Sequence, residues 1–219
     1  MSGNRSLLRQ AVGWLLLIMV MLATACGLPQ VHSTARHSVL SIGPGDLEKY
    51  GVAFITPATV TGQEQEKQTI VLDFAEVLKE DRPQIRCVTL PETLSAINKA
   101  GLADEYRSMF NDYKQAGIFN KEILRKIGEV TQTRYIAQLN LSGFNQSSND
   151  RFSIFGLRVL QTQQASIRLF LQLWDSQSGV IAWEGGAELV RAEDTLTEAN
   201  VTLRKVLEEA ARKLVARLP

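Results

Sequence analysis

Ala165-Ser166-Ile167-Arg168-Leu169-Phe170-Leu171-Gln172-Leu173-Trp174 alternates with period two. Ile167, Leu169, Leu171 and Leu173 fall on one face, with Arg168, Phe170, Gln172 and Trp174 on the other. Alternation sustained over this length is the pattern of a half-buried β-strand. Asp175-Ser176-Gln177-Ser178-Gly179 follows as turn chemistry. Val180-Ile181-Ala182-Trp183-Glu184 then returns as a second strand, so the stretch reads as a hairpin. Trp183 shares parity with Ile181 and Leu189, which places it in the core.

Working outward, Tyr135 to Phe144 repeats the pattern, with Ala137, Leu139 and Leu141 alternating with Gln138, Asn140 and Ser142. Each strand has one dry face and one mostly polar face, as in a sheet covered by helices on one side. Further upstream, Val52-Ala53-Phe54-Ile55 is a short apolar run ended by Pro57, the pattern of a strand buried on both faces. Ile70, Val71, Phe74, Val77 and Leu78 make a helical stripe, and Ile85 to Leu90 alternates around Cys87. This opening is β-α-β, with parallel strands and a right-handed crossover. Pro91 starts a helical region broken by Gly101 and Gly117, with Tyr106, Met109, Phe110 and Tyr113 on one stripe. Asn120 is placed to cap a further helix carrying Ile123, Leu124, Ile127 and Val130. Thr195 with Glu198 resembles a capping box for a terminal helix whose stripe is Leu203, Val206, Leu207, Ala210, Ala211 and Leu214. Asn145 to Gln164 is polar at first, then carries Phe152, Ile154, Phe155, Leu157, Val159 and Leu160. A strand and an extended loop both remain open for it. The fold class is therefore α/β, a two-layer (partly three-layer) mixed sheet of about five strands with helices packed mainly on one face.

The amino end carries a different message. Arg5 and Arg9 precede a nearly unbroken apolar run from Ala11 to Ala25, and Ala23-Thr24-Ala25 leads into Cys26. A basic start, an apolar stretch and small residues at the cut describe a secretory signal over 1–25. The run is shorter than the roughly 20 residues needed to cross a bilayer. With Cys26 directly after the small residues, the segment resembles a bacterial lipobox, with Ala23 where Leu is usual and Leu22 one step earlier. The resemblance implies a diacylglycerol on the Cys26 thiol and an acylated new amino terminus. Gly27, where an Asp would mark inner-membrane retention in such proteins, favours the outer membrane. Residues 26–48 then read as the lipidated Cys and a short flexible tether, containing His32 and His37 and ending near Gly43-Pro44-Gly45. At roughly 3.5 Å per residue it reaches about 70 Å at most. Residues 49–219 are expected to form a single α/β periplasmic domain.

Composition excludes several function classes. The chain has 24 Lys and Arg against 23 Asp and Glu, and losing 1–25 leaves 22 against 23. That balance calls for no nucleic acid and no anionic surface. Cys87 is then the one remaining free thiol, expected as a buried structural Cys. Both histidines lie in the tether, so the domain has no imidazole for a triad or a zinc site. Asp73, Glu76 and Glu80 read as a solvated helix face, and Gly185-Gly186 is not a phosphate loop. No enzyme, cofactor or metal is expected.

Three stretches together carry a family resemblance. They are Ile123-Leu124-Arg125-Lys126-Ile127-Gly128 leading to Thr133-Arg134-Tyr135-Ile136, the hairpin Leu171 to Glu184, and the amphipathic terminal helix. From about Tyr50 onward the chain resembles the periplasmic domain shared by curli-secretion channel subunits, lipoprotein activators of penicillin-binding proteins and the N-terminal domain of TolB. That resemblance implies a mixed sheet with packed helices and no catalysis. A curli-type channel would need two long membrane-entering hairpins, and only Arg151 to Gln161 approaches the strand length, so a pore is not expected. The tether is also short for an activator that threads the cell wall. The expected role is a non-catalytic outer-membrane lipoprotein, held by lipid at Cys26, facing the periplasm and binding or scaffolding another envelope component, foremost a protein. The alternative is an oligomeric subunit of a secretion or export assembly. Phe170 and Trp174, among Arg168 and Gln172, are the candidate contact residues, because aromatics among polar neighbours commonly build binding patches.

Overall fold

The computed structural model describes residues 30–59, 64–154, 157–195 and 201–219. The expected signal segment, 1–25, and Cys26 lie outside the described residues. In chain order the elements are β1 (Gln30–Val39), α1 (Asp46–Tyr50), β2 (Val52–Phe54), β3 (Ala58–Thr59), α2 (Glu64–Asp81), β4 (Cys87–Val88), α3 (Leu90–Lys99), α4 (Ala103–Ala116), α5 (Lys121–Thr131), β5 (Tyr135–Ile154), β6 (Leu157–Asp175), β7 (Ile181–Thr195) and α6 (Leu203–Val215). The strands make one seven-stranded mixed sheet in the order β1-β7-β6-β5-β2-β4, with β3 beside β5. β2 pairs in parallel with β4 and β5, as the β-α-β reading expects. From β5 through β6 and β7 to β1 every pairing is antiparallel.

The alternating residues decide which face is dry. Ala137, Leu139 and Leu141 of β5 and Ile167, Leu169, Leu171 and Leu173 of β6 are all buried against α2 and α6. α2 contributes the predicted stripe of Ile70, Val71, Phe74, Val77 and Leu78, and Phe74 meets Phe54 edge to face at 5.8 Å. α6 contributes Val206, Leu207, Ala210, Ala211 and Leu214. Each large side chain so buried is worth about 1.5–3 kcal/mol over leaving it in water. Trp183 is fully buried in this core, as predicted. Of the α2 carboxylates read as a solvated face, Glu76 and Glu80 are exposed and pair with Arg204 and Arg212 of α6. Asp73 is instead buried, and its burial pushes its carboxyl above the usual range despite Arg204 at 3.9 Å.

A smaller core lies on the opposite face, where α3, α4 and α5 cover one end of the sheet. Ala53, Ile55 and Ile136 meet Ile97, Met109, Phe119, Leu124 and Ile127 there. The sheet is thus two-layered over most of its length and three-layered at this end. Asn120 caps α5 as predicted, its Oδ1 accepting from the Glu122 amide at 2.9 Å.

Three expectations change and one open choice is decided. Residues 30–39 of the expected tether form β1, a ten-residue strand paired along its length with β7. Ile42 and Leu47 of the same stretch are buried in the core. The sheet has seven strands rather than five, β1 and the two-residue β3 being the additions. Residues 145–154 and 157–164, for which strand and loop were both open, are strand: β5 and β6 run 20 and 19 residues and pair as an antiparallel hairpin. The long-strand length taken as lacking a counterpart is therefore present in both arms. Finally, Thr195 ends β7, and α6 is capped by Thr202, whose hydroxyl accepts from the Lys205 amide at 3.3 Å.

The β6–β7 turn is tied to the rest by one buried carboxylate. Asp175 is 3% exposed. Its Oδ2 accepts from Arg134 at 2.7 Å, and its Oδ1 accepts from the Gln177 amide at 2.9 Å. Burial pushes this carboxyl up, but the Arg134 and amide hydrogen bonds together outweigh it and hold the group below its usual value. A depressed folded value contributes stability that is present above the ordinary Asp range, near pH 4, and is lost as pH falls through the folded value. Asp175→Asn is expected to lower stability at pH 7 and to shallow the loss between about pH 4 and pH 2, measured by urea titration across pH. An unchanged acid slope would refute this assignment.

Candidate functional site

Because cross-strand partners share a face, register alone builds the polar face of the sheet. One row runs Asn140, Phe170, Gly186 and Arg36 across β5, β6, β7 and β1. The row beside it is Gln138, Gln172, Glu184 and Ser38, and the row on the other side includes Gly143, Arg168, Glu188 and Thr34. These rows floor an open recess of about 410 Å³, bounded at one end by Tyr113 of α4.

The predicted residues separate here. Phe170 is 39% exposed, whereas Trp174 is 2% exposed. Trp174 pairs with Ile136 in the row that α3, α4 and α5 cover, and its ring meets Phe119 at 5.1 Å and Tyr113 at 6.5 Å. Trp174 is a core residue and not a contact residue. Helices α3, α4 and α5 cover it. Phe170 escapes because the helical layer ends at Tyr113, whose hydroxyl donates to Gln172 Oε1 at 3.4 Å. Burial pushes the Tyr113 phenol above its usual range, so it stays a neutral donor.

Phe170 lies on a glycine shelf. A Cβ built on Gly186 would stand 2.8 Å from Phe170 Cε1, so only glycine allows the ring to lie against β7. One ring face is held by backbone and the other is presented to the recess. Around it, Arg168 pairs with Glu188 at 2.7 Å, both 56% exposed and so worth little in stability. Gln138 forms part of the floor, is 3% exposed and has an amide nitrogen with no hydrogen-bond partner among the described residues. Arg168, Phe170 and Gln172 share this face of β6, and Phe170 and Gln172 line the recess. Arg36 and Thr34 are additions that sequence reading missed. Their strand shows only Val31, Ala35 and Val39 at alternate positions, a faint signal inside a polar stretch.

A second recess of about 450 Å³ lies at the β6–β7 turn end, with Lys49, Arg86, Arg125 and Arg134 around it. Its guanidinium groups already serve the fold. Arg134 holds Asp175, Arg86 donates to the carbonyls of Thr131 and Gln132, and Arg125 pairs with Glu122 and Glu129. Cys87 is half-buried, and burial pushes its thiol up to about 11, which keeps it protonated and unreactive at neutral pH. Among the described residues, no group of three His, Cys, Asp or Glu side chains is placed to hold a metal ion.

No protein-family model and no curated relative matches the chain. Among solved structures it is similar to PelC from Paraburkholderia phytofirmans, solved as a dodecamer, at 11% identity, TM-score 0.48, covering 84% of this chain and 96% of that one. It is also similar to lipoprotein GNA1162 from Neisseria meningitidis, at 16% identity, TM-score 0.40, covering 77% and 99%. The LpoB C-terminal domain from Salmonella enterica is a third likeness, at 16% identity, TM-score 0.34, covering 63% and 81%.

Proposed function

We propose that the chain is a non-catalytic outer-membrane lipoprotein, acylated on Cys26, whose periplasmic domain binds or scaffolds another envelope component. The contact surface is the sheet face around Phe170, with Arg168 and Gln172 beside it. The observation that carries the reading is the shelf itself. A large ring lies in an open recess, against a glycine that leaves it no freedom to sink. Fixed aromatics flanked by polar groups are the usual anchors of binding surfaces. A photocrosslinker at Gln172 is expected to capture a partner in intact envelopes. Phe170→Ala should cut that capture about tenfold or more, as for an interface anchor, with the melting temperature unchanged. Capture that is indifferent to Phe170 would move the contact elsewhere.

A second reading is a subunit of an oligomeric export assembly. One observation favours it. β1 closes one side of the sheet, and among the described residues β5 beyond Leu141 pairs only with β6. Both therefore offer free backbone edges, and open edges invite pairing with another copy. Light scattering of detergent-extracted protein separates the readings, because a monomer or dimer rules out a ring.

A further inference from the structure

We infer that the recess around Phe170 takes a neutral sugar chain, with one pyranose face stacked on the Phe170 ring and its oxygens received by the amides of Gln138, Asn140 and Gln172. This occupant deepens the binding reading above and rests on it, and it makes the envelope component a glycan where a protein was the first expectation. What lines the recess decides between the two. The centre of a protein-binding patch is apolar, with charged residues depleted. Here Arg36, Glu184 and the amides of Gln138, Asn140 and Gln172 line the recess, and among the described residues no Val, Ile, Leu or Met does. Phe170 stands among them as an apolar platform, 39% exposed and propped on Gly186. Arg36 and Glu184 offset each other, and Glu188 already pairs with Arg168, so the lining selects no ionised ligand.

A pyranose matches each part. Its axial C–H bonds make the ring face apolar and weakly positive, and the face of an aromatic ring is negative, so the two stack. Around its rim, neighbouring hydroxyls both donate and accept. Asn and Gln amides do the same, with donors on nitrogen and an acceptor oxygen. Cross-strand register sets Asn140 directly opposite Phe170, and Gln138 opposite Gln172 in the next row, so the amides flank the platform. Gln138 adds an independent observation. It is 3% exposed, and its amide nitrogen has no hydrogen-bond partner among the described residues. A buried donor left without an acceptor is costly, and a sugar oxygen bound in the recess would supply one. At about 410 Å³ the recess is of small-ligand size, a class that spans about 300–1,000 Å³. Tyr113 closes one end, while at the other the floor runs out to β1, the outer strand, so a chain longer than the recess continues past it.

The test is saturation-transfer NMR on the full-length protein in detergent, with chitotetraose and, separately, cellotetraose, which lacks the acetamido groups. Saturation of at least one of the two sugars is expected, strongest on the C–H bonds that share one ring face, H1, H3 and H5. Phe170→Ala should weaken binding about tenfold or more, as for an interface anchor. Gly186→Ala, which pushes the ring off its shelf without deleting it, should act in the same direction. Gln138→Leu should weaken binding about fivefold, the share of one hydrogen bond, with the melting temperature unchanged or raised. A glutamine that served only the fold would instead lower the melting temperature and leave binding alone. Binding of neither sugar overturns the inference. If the Gln172 photocrosslinker then captures a protein that Phe170→Ala releases, the binding face stands and only its occupant changes. If that crosslinker captures nothing either, the binding reading falls too. Sugar binding that Phe170→Ala leaves untouched also overturns the inference, because the chain then sits elsewhere.

Discussion

Gly128→Val is expected to destabilise the protein by about 3 kcal/mol or more, the upper range for forcing atoms into a packed site. Gly128 sits in α5 where that helix crosses the β6–β7 turn. A Cβ there would stand 2.4 Å from Ser176 Oγ and 2.8 Å from the Thr133 carbonyl oxygen. The hydroxyl can rotate, but the carbonyl cannot, because it belongs to the short link between α5 and β5. The Thr133 amide in turn donates to the Gly128 carbonyl at 2.9 Å, so helix end and strand start are already tied together. Urea unfolding should show the midpoint falling with the slope unchanged. Adding Ser176→Gly to Gly128→Val should recover part of the loss and not all of it, since the carbonyl contact remains. Full recovery, or a Gly128→Val protein as stable as the parent, would mean that α5 stands further from the turn than described.

Trp174→Ala should cost about 3–5 kcal/mol, in the range for removing a large buried aromatic. The ring sits in the smaller core, against Phe119 and Tyr113. Among the described residues its indole nitrogen has no hydrogen-bond partner. Its contribution is therefore packing, and Trp174→Phe should lose much less than the alanine change. Phe170→Ala, four residues earlier on the same strand face, should cost well under 1 kcal/mol, as surface changes do. Measuring the three variants side by side separates a residue that holds the sheet to its helices from one that faces a partner. A stable Trp174→Ala protein would return that residue to the binding face.

The contrast between those two aromatics shows what the chain reveals and what it hides. Parity put Phe170 and Trp174 together, and parity was right. The difference between them is imposed from outside the strand, by α3, α4 and α5 far upstream, whose cover ends at Tyr113. No local pattern carries that information. The dry face was legible because Ala137, Leu139, Leu141 and the Ile167 to Leu173 series alternate without a break, and so was the α2 stripe. The upper hairpin was not legible. Asn145-Gln146-Ser147-Ser148-Asn149-Asp150 has poor strand propensity and is strand only because it continues the ladder started below. A bulge between Leu141 and Gly143 also shifts the parity there, so that Phe144 rather than Gly143 faces the main core. The recess was half legible, since the β5 and β6 rows were visible and the β1 row lay hidden in an apparent tether.

That hidden strand changes how the molecule carries load. Under the proposed anchor at Cys26, tension on Gln30 along β1 runs parallel to its ten partners on β7. Pulled this way, the backbone bonds between the two strands resist together, like a lap joint, instead of opening one after another like a zip. A domain dragged by flow or by a moving neighbour would then keep its shape until the whole seam slipped at once.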